Sequence, residues 1–312
     1  MRVCVTGGSG FIGSHVVDAL ASTGHHVIVF DLQGSTSPEA AFFKGDILDE
    51  QSLLKATAGC DVVFHLAAVA DVNDVSRDPV GAIDLNVGGT ARVLEASRKN
   101  KVSRVILAST VWVYSSVLDH DGLQVDESAQ LAPAANRQIY TSSKVAAELL
   151  CHDYWNAYQL PFTILRYGIP YGPRMRPTLV VPVFVRKALA GEPITVAGDG
   201  RQHRKFVYIE DLARGHVLSL KDTAKNQTYN LDGSEKVTIL RIAETVMRLT
   251  GTKRPVEFMP GRAGDYGGAE VSSEKAAREL GWRPEVSFEE GMRRTVPWLQ
   301  ANVAREASLT AR

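Results

Sequence analysis

The stretch RVCVTGGSGFIGSHVVDALAST, residues 2–23, decides the fold of this chain of 312 residues. A β-branched run, RVCVT, leads directly into a turn containing Gly7, Gly10 and Gly13, and a segment compatible with a helix follows. In such a strand–turn–helix unit the first glycine permits the tight turn, the second lets a pyrophosphate approach the backbone, and the third brings helix and strand close together. The positive N-terminus of the helix then favours the phosphates. The stretch therefore predicts a dinucleotide-binding unit.

A second strand, HHVIVF, ends at Asp31, 18 residues after Gly13. In dinucleotide-binding units an acidic residue about 20 residues beyond the turn binds the adenosine ribose. A carboxylate accepts hydrogen bonds from both ribose hydroxyls and repels a 2′-phosphate. We therefore predict that NAD is bound in preference to NADP; the alternative for Asp31 is an ordinary loop or capping residue.

Short apolar runs alternate with helical stretches through the first half of the chain. The runs are RVCVT, HHVIVF, AFFKGD, DVVFHLA, RVILAS and PFTILRY. This alternation predicts an α/β fold with a doubly wound parallel (Rossmann) sheet over residues 1–166. Beyond Arg166 the sequence is rich in glycine and proline, which predicts a smaller, loop-rich α/β substrate lobe over 167–312, with 201–227 returning to the first domain.

Composition excludes several classes of partner. Lys plus Arg (35) equals Asp plus Glu (35), so nucleic acid and anionic lipid are not expected partners. The three cysteines are widely spaced, which predicts neither a disulfide framework nor a metal site. The first residues do not resemble a signal peptide, and apolar runs stay short of the roughly 20 residues that span a bilayer. We expect a cytoplasmic protein whose polar end, 303–312, is a frayed tail.

Two long helices, near 79–99 and 138–158, are apolar on more than one side. Such helices are expected where an outer face packs against a second subunit. The pattern favours a homodimer formed through these two helices, although a large helix-covered core would explain it equally well.

Tyr140 and Lys144 open the second of these helices, and their spacing of four residues places them on one helix face. A phenol of pKa about 10 is a poor base at neutral pH, and a neighbouring cation favours the phenolate. The strand RVILA ends in Ser109 and Thr110, at the edge of a parallel sheet where ligands bind. Thr110, Tyr140 and Lys144 are therefore the predicted catalytic residues, transferring a hydroxyl proton while a hydride moves to or from nicotinamide.

With these motifs the chain resembles the NAD-dependent epimerase/dehydratase family, the extended short-chain dehydrogenases that act on nucleotide sugars, typified by UDP-galactose 4-epimerase. The resemblance runs from Arg2 to roughly Pro297. It is carried by TGGSGFIG, GDILD, HLAA, NVGGT, ASTVWVY, YTSSK, RYGIPYGPR, GDGRQHRKFVYIEDLA, and GRAGD followed by ARELGW.

The resemblance implies a cofactor site and a substrate site. The NAD contacts it implies, together with the turn and Asp31, are Gly7, Gly10, Phe11, Ile12, Gly13, Asp31, Asp46, Ile47, Leu66, Ala67, Ala68, Asn86, Ser109, Tyr140, Lys144 and Gly168. The substrate, a UDP-sugar, is expected to contact Thr110, Tyr140, Ile169, Leu179, Val180, Val196, Arg204, Arg262 and Asp265. Within that set Arg204 and Arg262 would hold the diphosphate, because guanidinium groups bind phosphate oxygens bidentately.

The two residues after Thr110 indicate which reaction of the family is favoured. Family dehydratases and decarboxylases typically carry an acidic residue or pair there, whereas this chain has Val111 and Trp112, which transfer no proton at neutral pH. This favours 4-epimerisation: oxidation at C4, reorientation of the 4-keto sugar, and hydride return to the opposite face.

Three departures from the family pattern leave the sugar and the base open: Ile169 replaces an asparagine, Ala197 an aromatic residue, and Lys205 an aspartate. Two further alternatives remain from the sequence. One is an NAD(P)-dependent reductase, dehydrogenase or dehydratase of the same family. The other is a non-catalytic NAD-binding protein, which would need neither Tyr140 nor Lys144.

Overall fold

The computed structural model describes residues 1–35, 37–115, 124–132, 138–261 and 270–310. Within these ranges the largest sheet has seven parallel strands. They are β1 (Arg2–Thr6), β2 (His26–Asp31), β3 (Ala41–Lys44), β4 (Val62–His65), β5 (Arg104–Thr110), β7 (Phe162–Tyr167) and β11 (Gln227–Leu231). Their order, β11-β7-β5-β4-β1-β2-β3, contains the 3-2-1-4-5 arrangement of doubly wound dinucleotide-binding folds. The predicted fold class is confirmed.

Helices cover both faces of this sheet. The α-helices of the described residues are α1 (Phe11–Ser22), α2 (Glu50–Thr57), α3 (Val72–Arg77), α4 (Pro79–Ile83), α5 (Thr90–Lys99), α6 (Ile139–Tyr158), α7 (Val180–Leu189), α8 (Ile209–Leu218), α9 (Ile239–Thr250), α10 (Glu274–Leu280) and α11 (Phe288–Thr310). Of these, α7, α9 and α11 pack on one another beside the small sheets described below. On one face α1 packs against α8, and on the other α5 packs between α2 and α6. Two separate hydrophobic cores result, one on each side of the sheet.

The first predicted long helix is interrupted by a change of helical period. Between α4 and α5 the chain forms a π-helical turn, Asp84–Gly89, and continues without a break. Such turns are uncommon in helices and are frequent at functional sites. A 3₁₀ turn, Val111–Tyr114, follows β5 and packs against the start of α6.

The second half of the chain, together with β6 from the first half, builds small sheets beside the main sheet. Among the described residues these are β12 (Lys236–Thr238), β10 (His203–Tyr208) and β8 (Ile169–Tyr171), then β9 (Thr195–Ala197) with β13 (Glu257–Met259), and β6 (Gln124–Val125) with β14 (Glu270–Val271). Between them the chain returns to the first unit, because α8 packs on α1 and β11 pairs with β7. This return covers 209–231 and not the range 201–227 expected from the sequence, because β10 pairs with β8 and β12 and β11 ends at Leu231.

The interpretation of 303–312 as a frayed tail is wrong as far as Thr310, where α11 ends. Met292, Val296 and Leu299 follow one helix face into the core and anchor α11 there. All three cysteines lie in the described part of the chain, where they are buried and unpaired. Within the same ranges no helix has the length and apolar character needed to cross a membrane.

Candidate active site

The glycine turn after β1 is closed to any larger residue. Gly7 has φ +71°, a conformation that favours glycine, and its carbonyl oxygen accepts a hydrogen bond from Gly10 N at 3.1 Å. A Cβ atom on Gly13 would lie 2.0 Å from the Gly7 carbonyl oxygen. Gly10 ends the turn as the N-cap of α1, so the free amides of the first helical turn face the place where a phosphate would sit. Phe11 and Ile12 form that first turn and are partly buried.

Asp31 lies at the end of β2, beside this turn. Its carboxylate accepts hydrogen bonds from the backbone N–H of Ser9, at 3.0 Å, and of Gln33, at 3.1 Å. It also lines a cavity of 240 Å³. The predicted cofactor residues that line the same cavity are Gly7, Gly10, Asp46, Ile47, Leu66, Ala67 and Ala68. The glycine cradle and the carboxylate therefore fit the adenosine half of a dinucleotide.

The predicted catalytic residues meet at the carboxyl edge of the sheet. Thr110 is the last residue of β5, and its hydroxyl oxygen accepts a hydrogen bond from Trp112 N at 3.2 Å. Tyr140 and Lys144 lie in the first turns of α6, with the Lys144 ammonium 6.0 Å from the centre of the Tyr140 ring. The ammonium donates to the carbonyl oxygen of Ala108, in β5, at 3.0 Å. This hydrogen bond links α6 to β5 at Lys144.

Burial dominates the titration of this pair. It raises the pKa of Tyr140 to about 12, and Arg176 is the cation that partly opposes the rise. The expectation that Lys144 favours the phenolate stays a prediction. Burial also lowers the pKa of Lys144 to about 8, while the Glu148 carboxylate favours its charged form. Lys144 therefore remains largely cationic at neutral pH.

Asn86 lies in the π-helical turn and ties three parts of the site together. Its side-chain oxygen accepts from Val69 N at 2.8 Å, and its amide donates to Val69 O and to the Ser143 hydroxyl, both at 3.0 Å. Ser143 in turn donates to the carbonyl oxygen of Tyr140 at 2.7 Å. The side chain predicted to contact the cofactor thus also fixes the start of the catalytic helix.

Ser109 faces away from the cleft into a buried polar network that sequence analysis missed. Its hydroxyl donates to Glu148 at 2.5 Å, which leaves only its backbone for a cofactor contact. Glu148 is paired with Arg166, and Arg166 donates to the hydroxyl of Tyr114 at 2.6 Å. The sequence indicates this network only through Glu148 and Arg166, two charged residues within otherwise apolar stretches. Glu148 comes four residues after Lys144.

Gly168, another predicted cofactor contact, lies against a carboxyl group that the motifs did not reveal. A Cβ atom on Gly168 would come within 1.9 Å of Asp232 Oδ1. Burial raises the pKa of Asp232 to about 7, opposed by the Lys205 ammonium and a hydrogen bond from Gly233 N. A residue larger than glycine at position 168 would displace this buried side chain.

The predicted substrate residues lie on several small elements. Arg204, on β10, has its guanidinium 5.8 Å from the ring centre of Trp112, two residues from Thr110. Ile169 pairs with Phe206 between β8 and β10. Leu179 and Val180 begin α7 and are partly buried, whereas Val196 is 1% exposed and packs in the core, which leaves its backbone for a substrate contact. Arg262 and Asp265 lie outside the described residues.

Comparisons with known proteins agree on one family. The family model described as "Epimerase: NAD dependent epimerase/dehydratase family" matches residues 3–232. The UDP-glucuronate 4-epimerase of Thermodesulfobacterium geofontis is 34% identical, over 96% of this chain and 96% of its own length. The dTDP-glucose 4,6-dehydratase of an Actinoplanes species is 32% identical, over 97% of this chain and 98% of its own.

A similar solved structure is that of UDP-glucose 4-epimerase from Thermotoga maritima with UDP-glucose. It matches with a TM-score of 0.89 and 32% identity, covering 97% of this chain and 100% of that chain. Epimerases and a dehydratase thus resemble this chain to nearly the same degree, and sequence identity alone does not separate the two reactions.

Proposed function

The chain belongs to the NAD-dependent epimerase/dehydratase family, and we propose that within it the protein is a nucleotide-sugar 4-epimerase. In the proposed reaction the C4 hydroxyl of the sugar is oxidised to a ketone and then reduced from the opposite face. When bound, NAD takes up the C4 hydride and later returns it, so that no net oxidation remains. The substrate we propose is a UDP-sugar, as in the names of the epimerases to which the chain is similar.

The observation that carries this proposal is the meeting of Thr110, Tyr140 and Lys144 at the sheet edge. We assign Tyr140 to take the proton of the C4 hydroxyl and to return it after the sugar has turned. Because the pKa of Tyr140 is about 12 in this arrangement, the phenol is protonated at neutral pH. For the transfer it would first release its own proton to solvent, and the Lys144 ammonium, 6.0 Å from the ring centre, would stabilise the phenolate that then takes the C4 proton. We assign Thr110 to bind the same hydroxyl and Lys144 to hold the cofactor ribose.

Trp112 supports epimerisation over dehydration. Eliminating water requires a group that donates a proton to the leaving hydroxyl, and an indole supplies none at neutral pH. Trp112 is two residues from Thr110 and partly buried. In this position it presents an aromatic ring where a dehydratase of the family would present an acid.

Arg204 supports a diphosphate substrate. The contact with Trp112 holds its guanidinium beside the catalytic turn. A planar cation held there suits a diphosphate attached to the reacting sugar. Arg262 is proposed as the second cation on the basis of the sequence motif.

Replacing Arg204 tests this part of the proposal. Arg204→Leu should raise the KM for the nucleotide sugar by about tenfold or more, the cost of losing a charged hydrogen bond of roughly 1.5–3 kcal/mol, and leave NAD affinity unchanged. The matched control is Arg201→Leu, because Arg201 lies in the loop just before β10 with its side chain 87% exposed. Equal KM values for the two variants and the wild type would remove Arg204 from the substrate site.

We also propose that the protein is a homodimer formed through α4 and α6. These helices expose large apolar side chains that the chain itself does not cover. They are Val80 (69% exposed), Ile83 (38%), Ile139 (44%) and Leu149 (56%). A second copy presenting the same helices would bury this surface symmetrically.

A further inference from the structure

A charged pair is buried one helical turn beyond Lys144, the lysine proposed to hold the cofactor ribose. Glu148, on α6, accepts hydrogen bonds from Arg166 Nε at 3.0 Å and Nη2 at 2.6 Å, and from the Ser109 hydroxyl at 2.5 Å. The Glu148 side chain is 4% exposed and that of Arg166 is 7% exposed. A carboxylate is thus fixed by three donors in the interior of the protein.

The network continues away from Glu148 and holds Arg166 in place. Arg166 donates to the Tyr114 hydroxyl at 2.6 Å, which donates to Asn230 Oδ1 at 2.9 Å. Tyr114 and Asn230 are themselves fully buried. Burying an ion pair contributes little to stability, because the cost of removing both charges from water offsets their attraction. An apolar pair of similar size would fill the same space. Stability therefore does not explain why this pair is charged, and the charge is better explained by a function.

Glu148 stands one helical turn beyond Lys144, on the same face of α6. The Lys144 amine is buried, and the hydrogen-bond partner shown for it is a neutral carbonyl oxygen, Ala108 O. Burial lowers the pKa of the amine to about 8, and the Glu148 carboxylate acts against this fall. Without that carboxylate, less of Lys144 would be cationic at neutral pH.

The other groups near the amine do not replace this carboxylate. On α6 itself Tyr140 is a neutral phenol with its pKa raised to about 12. On β4, burial lowers the pKa of His65 to about 3, so its ring is neutral. On β7, burial raises the pKa of Tyr167 well above its ordinary value, and Arg166 is cationic. Among these groups Glu148 is the anion.

We propose that Glu148 is a positioning residue that keeps Lys144 cationic so that the lysine binds the cofactor ribose, with Arg166 fixing the direction of the carboxylate. The proposal rests on the role assigned to Lys144 in the proposed function. It does not depend on which sugar is the substrate or on the stereochemistry of the reaction.

The test is the affinity for NAD as a function of pH, measured by calorimetry without any sugar on protein freed of nucleotide. In the wild type the affinity should fall as pH rises through about 8, where Lys144 loses its proton. In Glu148→Gln the midpoint of this fall should move down by about half a pH unit or more. The variant should then bind NAD at least about twofold more weakly than the wild type near pH 8, about threefold more weakly near pH 9, and equally well near pH 6.

Two variants separate this effect from simple damage to the network. Tyr114→Phe removes a hydrogen bond of the same network but no charge, so it should lower the unfolding temperature and leave the midpoint unchanged. Lys144→Met should remove the pH dependence between about pH 6 and about pH 9.5. If Glu148→Gln does not fold, Glu148→Asp, which withdraws the carboxylate by one methylene, should move the midpoint in the same direction by less.

The proposal is overturned if the Glu148→Gln or Glu148→Asp midpoint equals or exceeds that of the wild type, or if affinity falls equally at every pH. A pH dependence that persists in Lys144→Met would also overturn it. Because no sugar is present, a failure to epimerise nucleotide sugars would leave this result unaffected.

Discussion

At the scale of single residues, we predict that the Asp31 carboxylate selects NAD over NADP. It is already held by Ser9 N and Gln33 N, so it faces the adenosine cavity in a fixed orientation. We predict that NAD binds at least about tenfold more tightly than NADP, because placing a 2′-phosphate against a carboxylate costs several kcal/mol. Asp31→Asn should reduce this ratio by improving NADP binding.

Asp46→Asn is the control for that measurement, since Asp46 lines the same cavity and accepts a hydrogen bond from Leu48 N. The ratio of NADP to NAD dissociation constants, measured by titration, should stay at the wild-type value in this variant. Equal affinities for the two cofactors in the wild type would show that Asp31 does not select between them.

Sequence spacing predicts functional residues that lie close together in the chain. It does not predict contacts between residues that are far apart in the sequence. The glycine turn and the Tyr140–Lys144 pair are recognisable because local geometry determines their spacing. The network around Glu148 joins residues 18, 52 and 116 positions apart, and no local pattern records such pairings. The effect of burial on the Tyr140 pKa was likewise invisible before packing was known.

At the scale of elements, the turn between β1 and α1 allows a clean test of whether backbone geometry holds the cofactor. Gly13→Ala would push a methyl group into the Gly7 carbonyl, separating helix from strand. We predict a loss of NAD affinity of about tenfold or more and a lower unfolding temperature. Calorimetric titration and thermal unfolding measure the two effects.

Gly34→Ala is the matched control, because a Cβ atom there has no neighbour within 4 Å and the backbone needs no positive φ. It should bind NAD as the wild type does. If Gly13→Ala also bound NAD normally, the close approach of α1 to β1 would have no part in cofactor binding.

Most elements of the first half are predictable from apolar runs, and two later ones are not. β11, with the sequence QTYNL, is short and polar at its start, and only its pairing with β7 identifies it as a strand of the main sheet. Met292, Val296 and Leu299 bury the first part of α11, and the helix continues to Thr310 through a polar stretch in which the sequence shows no apolar pattern. Tertiary contacts decide the case of β11, as they commonly override local preference.

At the scale of the whole molecule, the exposed face of α4 and α6 predicts the oligomeric state. Leu149→Glu places a charge in the proposed interface and should convert a dimer into a monomer, measured by sedimentation velocity. Leu189→Glu, at an apolar position 41% exposed on α7, should leave the dimer intact. A wild-type protein that sediments as a monomer at every concentration would contradict the proposed interface.

We propose that this architecture inverts a sugar carbon without net oxidation. The most direct measurement is incubation of the purified protein and NAD with a panel of UDP-sugars that includes UDP-glucose and UDP-glucuronate. Product stereochemistry is followed by NMR, and reduced nicotinamide by absorbance. We predict conversion of at least one sugar to its C4 epimer without accumulation of reduced nicotinamide, and no conversion by Tyr140→Phe, which should still bind NAD. Stoichiometric reduced nicotinamide, a dehydrated keto sugar, or full turnover by Tyr140→Phe would contradict the account.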